Sequence, residues 1–151
     1  MFARNSNRWI PIEHCLIHDP LLEVIRKQVM ELMDKHAVPI AIKVNEHGYR
    51  YLVIRVIQQQ AQVTLVSTIK REDSNLYKEI GALDHVVGVF LSINDQKRAE
   101  IFGKETVVVA KNTKLQATIG GIKISISPES FMQLNTKVAT SMMQHVVSLV
   151  K

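Results

Sequence analysis

The run His85-Val86-Val87-Gly88-Val89-Phe90-Leu91-Ser92-Ile93 has no polar side to turn to water. A strand apolar on both faces must lie inside a sheet that is covered above and below. The rest of the chain therefore has to supply both neighbouring strands and cover. With 151 residues, 46% of them hydrophobic and 22% charged, it is long enough for one domain, or one domain and a small further piece.

The cover is legible as helices. Asp19-Pro20 reads as an N-cap followed by proline at the first helical position, where its missing N–H is not needed. Leu21, Leu22, Ile25, Val29, Leu32 and Met33 then recur at helical spacing, with Glu23, Lys27, Glu31 and Asp34 expected on the other side. Pro39 disfavours helical backbone at Val38, so the helix should end near Ala37. A second, shorter helix carries Leu76, Tyr77, Ile80 and Leu83, capped by Asp73 or Ser74. A third, capped by Asn135, presents a stripe of Val138, Met142, Val146 and Leu149. That stripe needs a partner, either the sheet or a domain outside the chain.

Further strand material lies at Tyr49 to Ile57 and Gln62 to Thr68, rich in β-branched and aromatic residues, with Gln58, Gln59 and Gln60 as the exposed turn between them. Asn94-Asp95 ends the buried strand, and shorter strands are expected at Ala99–Phe102, Thr106–Ala110 and Leu115–Ile119. Gly120-Gly121 suits a tight hairpin into Ile122–Ile126, where isoleucines alternate with Lys123 and Ser125. This order predicts an α+β fold: a mostly antiparallel sheet with two packed helices, a terminal hairpin and a C-terminal amphipathic helix.

Chemistry-bearing motifs are sparse. The chain has no G-x-S-x-G, phosphate loop, H-E-x-x-H or G-x-G-x-x-G, and no catalytic residue is assigned. One cysteine, Cys15, excludes an intramolecular disulfide. It lies in Glu13-His14-Cys15-Leu16-Ile17-His18-Asp19, which is rich in metal-capable side chains. However, the helix starts too late to align His14 with His18, and a fourth zinc ligand is not obvious, so a buried structural cysteine in a strand-to-helix corner is favoured. No segment approaches the roughly 20 apolar residues of a membrane span, and the polar, basic start does not resemble a signal peptide, so a cytoplasmic protein is expected. Nineteen Lys and Arg against fourteen Asp and Glu give a net charge of +5. Arg4, Arg8, Lys111, Lys114 and Lys123, towards the two ends, could be edges of one basic face, or simply solvated charges.

The segment Ser127 to Thr136 is the most informative. Phe131 and Gln133 are two residues apart, so in extended backbone they project to the same side. A ring can stack on an unpaired base while a carboxamide offers a donor and an acceptor to a base edge, and uracil matches that pair. Alternatively, Phe131 is a core plug and Gln133 caps nearby backbone.

The run Ile124-Ser125-Ile126-Ser127-Pro128-Glu129-Ser130-Phe131-Met132-Gln133-Leu134-Asn135-Thr136 resembles the I-S-P-x-S-F-x-Q-x-N signature of RNA uracil-5-methyltransferases, which make 5-methyluridine in ribosomal and transfer RNA using S-adenosylmethionine. Ile12 to Cys15, Tyr51 to Arg55, Ile93 to Asp95 and Phe102 to Thr106 resemble further segments of that family in the same order. The resemblance implies a central, RNA substrate-side domain over 1–127, and a linker plus the first helix of a methyltransferase domain over 128–151. It implies that Phe131 and Gln133 help to hold the flipped target uracil of an rRNA or tRNA. Cys15 resembles the fourth ligand of the family's [4Fe-4S] cluster, but the other three cysteines have no counterpart. The cofactor motif, the nucleophilic cysteine and the glutamate base of the family are also missing. The chain is therefore expected to be inactive alone, with S-adenosylmethionine bound only in an intact enzyme. The competing expectation is a non-catalytic structural module that forms a homodimer through its last helix.

Overall fold

A computed structural model describes every residue except 1–2, 7, 9, 13–14, 44, 97–99, 132–135 and 151, and does not describe the side chain of Thr136. In chain order the elements are α1 (Pro20–Lys35), β1 (Tyr49–Ile57), β2 (Gln60–Ser67), α2 (Ser74–Ala82), β3 (Val86–Ile93), β4 (Glu105–Asn112), β5 (Leu115–Ile119), β6 (Ile122–Ile126) and α3 (Thr136–Leu149). This is the expected α+β architecture. Strands β1 to β4 form one sheet in sequence order, and β5 and β6 form a separate hairpin. Pairing is antiparallel except between β2 and β3, which run parallel. A parallel pair needs a crossover, and α2 provides it.

Side-chain alternation gives the sheet two apolar faces. Leu52, Ile54 and Val56 of β1, Val63 and Leu65 of β2, and Val89 and Leu91 of β3 pack with Ile25 and Val29 of α1 and with Leu76 and Ile80 of α2. Val63, Leu65, Val89 and Leu76 are completely buried, each contributing on the order of 1.5–3 kcal/mol. On the other face, Ile57 meets Leu115, Ala117 and Ile126, so the β5–β6 hairpin closes that end of the sheet.

Helix α1 starts as its sequence predicts, with Asp19 Oδ1 accepting from Leu21 N–H at 2.8 Å and proline in its first turn. It ends at Lys35, and Ala37 takes a left-handed φ of 47° two residues before Pro39. Glu23 departs from expectation: rather than facing water it is buried, accepting from Arg26 Nη2 at 2.8 Å and from the His18 ring. His18 and then Arg26 hold its carboxyl below the ordinary glutamate range.

Three more expectations are corrected. Gln60 is a strand residue paired with Ile57, which leaves a two-residue turn, Gln58-Gln59, with left-handed φ angles of 47° and 62°. The β1–β2 twist selects that conformation even without glycine. Asp73 stands at the N-cap position of α2 without capping it. Its carboxylate accepts instead from Arg71 Nε and from the Tyr49 hydroxyl, both at 2.6 Å. Finally, Glu100, Ile101 and Phe102 are not in a strand. The buried Asn94 donates its amide to the carbonyls of Glu100 (2.7 Å) and Ile101 (2.9 Å), which fastens a loop there. Gly103 seals that loop, since a Cβ at this position would lie 1.6 Å from Ile93 O.

Helix α3 touches β5, and Ala139 is its buried residue among those described. The apolar stripe read from sequence is open: Val138, Met142, Val146 and Leu149 are 54%, 59%, 57% and 70% exposed. Asn135, its expected cap, lies outside the described residues.

Candidate nucleic-acid interface

Strand β6 ends with Ile126, buried under the sheet, and the chain then turns sharply through Ser127, Pro128, Glu129 and Ser130. The turn ties itself together. Ser130 N–H donates to Ser127 O at 3.2 Å, Ser127 N–H donates to Ser130 Oγ at 3.1 Å, and the two hydroxyls are 2.7 Å apart. Serine at both ends is what makes this closure possible, because each hydroxyl can donate and accept at once.

A fourth restraint comes from far away in sequence. Arg55 of β1 donates through Nη1 to Ser130 O and, at 3.4 Å, to Ser127 O. Arg55 shares its strand face with Ile57, so the half-buried guanidinium reaches the turn along the side that the hairpin covers. That burial depresses its pKa.

Phe131 emerges directly from this fastened turn and is 87% exposed. It is therefore not a core plug. A phenyl ring left in water next to a well-restrained turn gains free energy from any flat apolar surface laid on it. Gln133 lies outside the described residues, so its direction relative to Phe131 is not part of this geometry.

The expected basic residues occupy separate parts of the fold. Arg4 and Arg8 are exposed in an N-terminal turn closed by Ala3 N–H donating to Arg8 O at 2.8 Å. Lys114 precedes β5, and Lys123 is exposed on β6 opposite Thr118. Lys111, at a left-handed φ of 41°, donates its ammonium to Val86 O at 3.1 Å. It lines an open cavity of about 620 Å³ between α2 and β4, together with Arg71 and Lys78. Those two cations lie in the middle of the chain and gave no sign in the sequence of joining Lys111.

Cys15 is half-buried rather than buried, and it stands in a turn ahead of α1 with no strand before it among the described residues; its carbonyl accepts from His18 N–H at 3.2 Å. Glu13 and His14 lie outside the described residues, and His18 is engaged with Glu23. Among the described residues no three His, Cys, Asp or Glu side chains gather to hold a metal. One thiol cannot satisfy a four-cysteine cluster, so the donor set of this chain does not fit the iron–sulfur group. Among the described residues no helix is long and apolar enough to cross a membrane.

No family model matches the chain. Individual proteins do. An uncharacterized RNA methyltransferase of Streptococcus pyogenes is 30% identical over 138 residues, which covers 89% of this chain and 31% of that protein. Others named in the same way, from Streptococcus pneumoniae and Listeria innocua, are each 28% identical over 89% of the chain and 31% of their own length. The chain thus spans about a third of the curated relatives it matches. Among solved structures, Pyrococcus abyssi tRNA (uracil-54, C5)-methyltransferase in complex with S-adenosyl-L-homocysteine superimposes with a TM-score of 0.77 at 19% identity, over 99% of this chain and 37% of that one. Over most of its length this chain is similar in sequence to about a third of the length of proteins named RNA methyltransferases, and over nearly all of it the fold matches part of that tRNA (uracil-54, C5)-methyltransferase.

Proposed function

We propose that this chain is the substrate-side part of an S-adenosylmethionine-dependent RNA uracil-5-methyltransferase acting on rRNA or tRNA, and that it receives the target uridine on Phe131. In this reading 1–127 is the RNA-side domain, and 128–151 leads into the methyl-transferring domain. The observation that carries the reading is the 87% exposure of Phe131 on a turn fixed at both ends. C5 of uracil is out of reach within a stack, so the base must be extruded at a cost of a few kcal/mol. Stacking on an exposed ring returns roughly 1–3 kcal/mol of that cost. Gln133 is assigned the base edge, where its carboxamide can donate to a uracil carbonyl and accept from N3–H. Bound S-adenosylmethionine would supply the methyl group. This chain's own residues bind and orient the base, and none is assigned to bond making.

Arg4, Arg8, Lys111, Lys114 and Lys123 are assigned to RNA backbone, with affinity that falls as salt rises. The test is binding of a short single-stranded RNA carrying one uridine among adenosines, followed by fluorescence anisotropy. Phe131→Ala should weaken binding by about tenfold, within the 1–3 kcal/mol of one stacked base. Equal binding by wild type and Phe131→Ala refutes the assignment. In a full-length methyltransferase carrying this segment, Gln133→Ala should impair methyl transfer while leaving the fold intact.

A second reading, a non-catalytic module that dimerises, is favoured by the open stripe on α3. Sedimentation decides between them: a salt-insensitive dimer indifferent to RNA supports the second.

A further inference from the structure

We infer that Arg55 is a positioning residue for the base-receiving turn: its guanidinium spans the carbonyls of Ser127 and Ser130 and thereby sets where Phe131 stands. This inference rests on the role proposed for Phe131. Arg55 is half-buried, and among the described residues no carboxylate pairs with it. A partly desolvated cation is costly unless its hydrogen bonds are used, and among the described residues those of Arg55 go to this turn. The internal serine bonds can close the turn on themselves, but they cannot fix its orientation on the sheet. Buried Ile126 anchors the start of the turn, and Arg55, 75 positions from Ser130, holds its far end. Both bonds leave one nitrogen, Nη1, which the planar guanidinium holds in place; a lysine ammonium on a flexible stem would reach the same carbonyls less rigidly.

The consequence is a coupling: Arg55 should influence a bound base only through Phe131. A short single-stranded RNA carrying one uridine is titrated against wild type, Arg55→Met, Arg55→Lys, Phe131→Ala and the double variant Arg55→Met/Phe131→Ala. In parallel, the four phenylalanines are labelled with 4-fluorophenylalanine and the Phe131 signal is assigned with Phe131→Leu. We expect Arg55→Met to move the Phe131 fluorine resonance while the buried Phe90 resonance stays in place, which also reports an intact fold. RNA affinity should fall about tenfold in Arg55→Met and less in Arg55→Lys. The double variant should bind no more weakly than Phe131→Ala. Additive losses would mean that Arg55 contacts RNA by itself, and would overturn the inference, as would an unmoved Phe131 resonance in Arg55→Met. If Phe131→Ala binds like wild type, the base-receiving role fails, while the fluorine shift still decides whether Arg55 sets the turn.

Discussion

Tyr49→Phe removes one oxygen from a polar cluster at the margin of the core. The Tyr49 ring is 1% exposed, and its hydroxyl donates to Asp73 Oδ2 at 2.6 Å while lying 2.9 Å from the Tyr77 hydroxyl. A hydrogen bond to a charged acceptor contributes about 1.5–3 kcal/mol. Asp73 would keep Arg71 Nε at 2.6 Å, and the Tyr77 hydroxyl would still donate to Arg71 O at 3.2 Å. No buried group is orphaned, and Arg71 still stands over the remaining ring. The expected loss is therefore about 2 kcal/mol, or a melting temperature lower by about 4–8 °C for a chain of this size.

The pH dependence supplies a second constraint on the same variant. Arg71 first, and then the Tyr49 hydroxyl, hold the Asp73 carboxyl below the ordinary aspartate range. Stability from a depressed carboxyl is complete above the unfolded pKa, about 3.9, and is lost as pH falls through the folded one. Urea unfolding followed by circular dichroism should thus show the full gap between wild type and Tyr49→Phe at neutral pH, and a gap that closes as acid protonates the folded-state Asp73 carboxyl, below the ordinary aspartate range. A neutral-pH gap below about 0.5 kcal/mol, or one that does not shrink in acid, would refute the assignment of that hydroxyl to the carboxylate.

The remaining predictions concern backbone and exposure. Replacing Gln58-Gln59 by Asn-Gly should stabilise the protein by about 1 kcal/mol in thermal melts, since both residues have left-handed φ angles that these replacements tolerate; a loss would contradict the turn geometry. Gly103→Ala should cost more than about 3 kcal/mol or abolish folding, because its Cβ would meet Ile93 O at 1.6 Å. Gly120→Ala meets nothing within 4 Å and should cost only about 1 kcal/mol, from its φ of 58°. Phe131→Ala should leave unfolding free energy within about 0.5 kcal/mol of wild type, since the ring is 87% exposed.

Features encoded within a few residues were legible in the sequence. Asp19-Pro20 marks the start of α1, Gly120-Gly121 marks the β5–β6 turn, and the apolar run from Val86 to Ile93 marks an interior strand. Features that depend on which side chains meet once the chain is folded were not legible, even where the partners are a few residues apart. Asp73 looks like a helix cap until Arg71 and Tyr49 claim its carboxylate. Glu23 looks like a solvent residue until His18 and Arg26 fold over it. Around the candidate site, the sequence singled out Phe131, whereas Arg55 lies on an ordinary-looking strand and acquires its role only when β1 meets the turn after β6. The cationic lining by Arg71 and Lys78 was hidden for the same reason, because α2 and β4 must come together before Lys111 joins them.

The most direct measurement is photocrosslinking of this chain to a short RNA whose single uridine is replaced by 5-iodouridine, with the adduct mapped by mass spectrometry. The account predicts an adduct on Phe131 that is lost, without unfolding, in Arg55→Met. Adducts confined to the cavity lined by Arg71, Lys78 and Lys111, with Phe131 untouched, would contradict it.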